Sequence, residues 1–78
     1  MREKARRVIV TFHTTAEAMA TERLCLAEGL KGRLIPAPRA LSADCGIAWS
    51  APEEIRSALE RALTSAGIET AGITEMAV

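Results

Sequence analysis

Apolar and polar positions alternate with two different periods along the chain, and the switches between them outline six elements. The β-branched run from Val8 to Phe12 predicts a buried strand. His13, Thr14 and Thr15 follow with helix-entry chemistry: either threonine can accept from an early amide, and Glu17 suits the positive end of a helix dipole. The spacing predicts a helix over Thr15–Glu28 that stops at Gly29. On its wheel Ala18, Met19, Glu22, Cys25 and Leu26 form a core-facing stripe, with Glu22 as a carboxylate on an apolar face. Gly32 to Ile35 predicts a second strand ended by Pro36, and Gly46 to Trp49 a third. Ser50-Ala51-Pro52-Glu53 has the form of a capping box with a first-turn proline. Ile55, Ala58, Leu59, Ala62, Leu63 and Ala66 continue from it as an amphipathic helix closed by Gly67. The last segment, Ile68 to Val78, reads as an edge strand interrupted at Gly72.

Strand, helix, strand, strand, helix, strand is an α+β order that closes as a ferredoxin-like βαββαβ sandwich. Its four-stranded sheet is antiparallel, with both helices on one face. Residues 8–78 make up this single domain, and residues 1–7 a basic N-terminal extension. In that topology the loop between the second and third strands leaves the same sheet edge as the junction between the first strand and first helix. Residues about thirty positions apart, Arg39, Ser42 and Cys45 on one side and His13 and Thr14 on the other, are thereby expected at one rim.

Composition narrows what such a domain can do. Apolar residues make up 49% of the 78, but Phe12 and Trp49 are the only aromatics, so the core is aliphatic and thin. Association into a homodimer would add to it. The formal charge is zero, which argues against a general polyanion binder, despite the local excess of Arg2, Lys4, Arg6 and Arg7. The RNA-binding version of this sheet needs stacking aromatics on its middle strands, and so few aromatics make nucleic acid a poor expectation. No apolar run is long enough for a signal peptide or a membrane span, so a cytoplasmic address and no membrane partner are expected. In that compartment Cys25 and Cys45 read as thiols. With one histidine and no C-x-x-C pair, neither a metal site nor a cofactor is expected.

The stretch with chemistry to offer is Pro36-Ala37-Pro38-Arg39-Ala40-Leu41-Ser42-Ala43-Asp44-Cys45-Gly46. It is about twice as long as a hairpin loop needs to be. Thiolate, not thiol, is the nucleophile. Arg39, the amides at the first helix start and a protonated His13 would each stabilise an anion on Cys45, and Asp44 would oppose it. Gly46 leaves the sulfur approachable and offers its amide, while Ser42 and Thr14 add hydroxyl groups at the same rim. His13 is a candidate proton carrier. Pro36 and Pro38 stiffen the loop, and Glu22 is assigned a paired, structural role with Arg39 or His13. Each residue also has a plainer reading: Cys45 as a small hydrophobe capping a strand, Arg39 and His13 as solvated surface groups. Cys25, on the helix stripe, is read as core. A glycine-rich phosphate loop, a carboxylate pair and a serine–histidine–acid set are all missing from the sequence.

Taken in order, several motifs are similar to the selenium/sulfur carrier protein-like family. They are Phe12-His13-Thr14-Thr15, Glu17-Ala18-Met19 with Glu22 and Gly29, Arg33 through Arg39, Leu41-Ser42, and Cys45-Gly46-Ile47-Ala48. The resemblance spans about residues 8 to 77, and P-x-P-R followed six residues later by Cys-Gly is its most specific part. It implies a small bacterial domain that is not an enzyme. Cys45 would hold sulfur or selenium as a persulfide or selenosulfide, taken from a cysteine desulfurase-like donor and passed to an acceptor protein. Better-known relay carriers set their cysteine beside a proline at the first strand–helix junction; here His13 and Thr14 occupy that junction. The alternative from a different class is a binding or regulatory module that holds a small anion or a peptide on the same loop without a covalent bond.

Overall fold

The structure, a computed structural model, describes residues 6–41 and 45–77. The chain forms β1 (Arg6–Thr11), α1 (Thr15–Glu28), β2 (Arg33–Pro36), β3 (Ile47–Pro52), a 3-10 turn (Glu53–Ile55), α2 (Arg56–Ala66) and β4 (Gly72–Ala77). The strands make one antiparallel sheet in the order β2-β3-β1-β4, the expected α+β, βαββαβ arrangement. Register aligns Thr11 with Ala48 and with Gly72, and Pro36 with Ile47. The end of β1, the end of β2 and the starts of β3 and β4 therefore share one edge, called here the upper rim. Three connections leave from it: β1–α1, β2–β3 and α2–β4.

Both helices cover the same face of the sheet. Val8, Val10, Phe12, Trp49 and Ala51 from the strands close on Ala18 and Cys25 of α1 and on Leu59 and Leu63 of α2. Burying each leucine contributes about 1.5–3 kcal/mol. On the other face Arg7 reaches across to Ser50, its Nε donating to Oγ at 3.0 Å and its Nη2 to the carbonyl at 3.3 Å. That contact explains a departure from expectation. Ser50 does not cap a helix: β3 runs on through Ser50, Ala51 and Pro52, and α2 begins at Arg56 after the 3-10 turn, with no side-chain cap. Pro36 is likewise inside β2 rather than just past it, which an edge strand tolerates because the missing donor need not face a neighbour.

The buried face of α1 is also not the expected one. Ala18, Thr21 and Cys25 face the core, while Met19 and Leu26 stand in solvent and Glu22 lies half-buried at the flank. The helix is thus turned by most of one residue step, about 100°. Trp49 and Phe12 already fill the space above the sheet, so α1 presents small side chains to them. Thr21 can be buried because its hydroxyl donates to the Glu17 carbonyl at 3.0 Å. Below, on the α1–β2 connection, Gly32 lies against the Trp49 ring so closely that a Cβ would come within 2.6 Å of it. The indole Nε1 in this seam is buried without a hydrogen-bond partner among the described residues.

Candidate functional site

The β1–α1 junction is held by local chemistry. Thr14 is extended and its Oγ1 accepts from the Glu17 amide at 3.2 Å. In return one carboxylate oxygen of Glu17 accepts from the amides of His13 at 3.0 Å and Thr14 at 3.2 Å. The positive end of the α1 dipole therefore already holds an anion from its own chain. His13 stands exposed at this junction.

The β2–β3 loop is pinned at its base by the Ala37 amide donating to the Gly46 carbonyl at 3.0 Å. Above that bond the Leu41 amide donates to the Pro38 carbonyl at 2.9 Å. This closes a β-turn with Arg39 as its second residue, exposed on a backbone that Pro38 stiffens. Gly46 has φ 74°, and a Cβ there would meet nothing within 4 Å among the described residues, so the position calls for glycine by its backbone conformation. Ser42, assigned to the loop as a hydroxyl donor, lies outside the described residues, as does Asp44.

Cys45 comes just before Gly46, half-buried, with its side chain against the edge of the core cluster. Its thiol donates to the Ile47 carbonyl at 3.4 Å. Sequence reasoning missed that carbonyl, and no signal could have revealed it, since it depends on the bend at Gly46. Cys25 is different in kind: it is fully buried, and burial pushes its thiol up from the ordinary value. Ten residues into α1 it is about 15 Å down the helix axis from the rim that carries Cys45. The two thiols serve separate regions of the fold. Among the described residues no three His, Cys, Asp or Glu side chains come together as a metal site, and no helix is long and apolar enough to cross a membrane.

The structure thus brings His13, Thr14, Arg39, Cys45 and Gly46 to one rim, with Pro36 and Pro38 framing the loop, and leaves Glu22 on the side of α1. A comparison with protein families matches residues 7–75 to one described as "Putative Se/S carrier protein-like". The chain belongs to this family. Within the carrier-like match fall both junctions of the rim and the whole β2–β3 loop. No curated protein and no solved structure matches the chain.

Proposed function

We propose that this domain is a sulfur or selenium carrier, without turnover of its own, that loads its cargo on Cys45. The observation that carries the reading is the contrast between its two cysteines. Cys45 is half-open on a rim of loops inside the family match, and Cys25 is sealed in the core.

In the proposed step the Cys45 thiolate attacks the outer sulfur of a persulfide on a cysteine desulfurase-like donor. A sulfur–sulfur bond forms on Cys45, the donor's sulfur–sulfur bond breaks, and the donor leaves as a thiolate. The proton given up by Cys45 passes by way of His13 to that thiolate. Two thiols and one sulfane sulfur enter and leave, with no net oxidation. Arg39, Thr14 and the Gly46 amide are assigned to the anionic cargo, which an acceptor protein then removes by the same exchange. Before attack the thiol must surrender its bond to the Ile47 carbonyl, because a thiolate cannot donate it.

That same bond is the observation favouring the rival reading, a module that holds a small anion or peptide at Arg39 without covalent chemistry. Mass spectrometry after incubation with a cysteine desulfurase and cysteine separates the two. One added sulfur, lost in Cys45→Ser and kept in Cys25→Ser, is expected of a carrier. No adduct, or one confined to Cys25, would sink it, whereas anion binding that survives Cys45→Ala and disappears in Arg39→Ala would establish the rival.

A further inference from the structure

The capping box of α1 holds one hydrogen bond more than a helix start requires. In the ordinary arrangement the glutamate at the third helical position accepts from the amide of the capping residue alone. Here the Glu17 Oε1 atom accepts from Thr14 at 3.2 Å and also from His13 at 3.0 Å, the shorter of the two. Thr14 Oγ1, accepting from the Glu17 amide at 3.2 Å, completes the box without His13. The bond to His13 therefore lies outside the helix, and what it fixes is the chain between β1 and α1.

His13 follows the end of β1 at Thr11 by two residues, and Cys45 precedes the start of β3 at Ile47 by two. These two strands are neighbours, about 5 Å apart, with Thr11 aligned to Ala48. The clamped histidine thus tops the strand next to the one that carries the thiol. We propose that Glu17 is a positioning residue: by holding the His13 amide it directs the imidazole to the proton transfer at Cys45. This inference rests on the carrier reading. As a sulfur–sulfur bond forms on Cys45 and that of the donor breaks, the Sγ proton passes to the imidazole and on to the departing donor thiolate. Glu17 takes no part in that exchange itself and acts through the backbone of His13.

The test is single-turnover loading of the full chain by a cysteine desulfurase already charged with persulfide, followed by mass spectrometry. His13→Gln is expected to slow loading about 100-fold, the low end for a lost proton-transfer group. Glu17→Ala should slow it about tenfold, because the imidazole remains but is no longer held in place. Glu17→Gln keeps an oxygen that accepts from both amides and should stay within about threefold of the parent. In the His13→Gln background Glu17→Ala should add nothing, whereas a merely structural Glu17 would slow both backgrounds alike. Gly29→Ala, which weakens α1 from its other end, should load at the parental rate. Amide hydrogen exchange checks the clamp without sulfur chemistry: His13 and Thr14 should exchange about tenfold faster in Glu17→Ala than in Gly29→Ala. A parent that takes up no sulfur would bring down the carrier reading and this inference with it. Loading untouched by His13→Gln would remove the proton-transfer role of His13 and the reason to position it. Loading that depends on His13 but not on Glu17, equal slowing in both backgrounds, or unaltered amide exchange would overturn the positioning role alone.

Discussion

Gly32→Ala makes the sharpest test of how this small domain is packed. An ideal Cβ at that position lies 2.6 Å from three atoms of the Trp49 indole, Cε2, Cζ2 and Nε1. Real Cβ contacts do not come that close, so either the ring or the backbone must shift. Trp49 is only 2% exposed and lies in the cluster that joins both helices to the sheet, which leaves the ring little room to yield. Overpacking of this kind costs about 1–3 kcal/mol. In a domain of this size each kcal/mol lowers the melting temperature by about 4–8 °C, so a loss of roughly 5–20 °C is expected. Gly29→Ala serves as the control: its φ is also positive, at 70°, but a Cβ there meets nothing within 4 Å, so it carries only the backbone penalty of about 1 kcal/mol. The mechanism is isolated by a double-mutant cycle with Trp49→Phe, which removes the indole nitrogen and the outer carbons of the fused benzo ring. Gly32→Ala should cost at least about 1 kcal/mol less in that background. Circular dichroism at several urea concentrations reads all four proteins, since fluorescence is lost with the indole. Additive effects, or a Gly32→Ala variant melting beside the parent, would refute the packing argument.

Other consequences can be checked as directly. Thr14→Ala removes the acceptor for the Glu17 amide and should destabilise the domain by about 1 kcal/mol, seen as a lower urea midpoint with an unchanged slope; an unaltered midpoint would mean the capping box contributes nothing. The Arg56 guanidinium, hydrogen-bonded to Glu75, holds that carboxyl below its ordinary value. A depressed folded-state value gives stability that is present above the unfolded carboxylate range, near 4.5, and lost as pH falls through the lower folded value. The stability difference between the parent and Glu75→Gln should therefore shrink on acidification below that range, and a difference constant with pH would contradict the pairing. Thiol titration with a bulky disulfide reagent should find one accessible thiol, lost in Cys45→Ser, with Cys25 reacting only at the rate of unfolding; rapid labelling of both would contradict the burial of Cys25.

What could be read from sequence was what local chemistry decides. Helix α1 occupies the expected residues, Thr15–Glu28, because Thr14, Glu17 and Gly29 fix its ends with bonds spanning a few positions. The antiparallel α+β order and the family followed from the same kind of signal, as did the placing of the β2–β3 loop beside the β1–α1 junction. What could not be read depends on distant neighbours. Ser50 carries a good capping pattern, yet Arg7, forty-three residues away, offers its hydroxyl and carbonyl better-placed partners inside the sheet. The core face of α1 was obscured because its alanines give no strong bias to any side, and the bulk of Trp49 and Phe12, not the size of Met19 and Leu26, chose which face turned inward. At the candidate site, residue types and rim placement were legible. The thiol's acceptor was not, since the Ile47 carbonyl comes within reach only through the backbone bend at Gly46.

The close fit of Gly32 on Trp49 has a consequence for how a lineage of such domains can change. At that end of the sheet a single added carbon presses on a closely packed ring, so sequence there is confined to what the seam already accepts. The opposite end carries the long loop, where a Cβ at Gly46 meets nothing within 4 Å among the described residues. New recognition can therefore accumulate around the cysteine by altering length and charge between Ala37 and Gly46, while the anchored end keeps the frame unchanged beneath it.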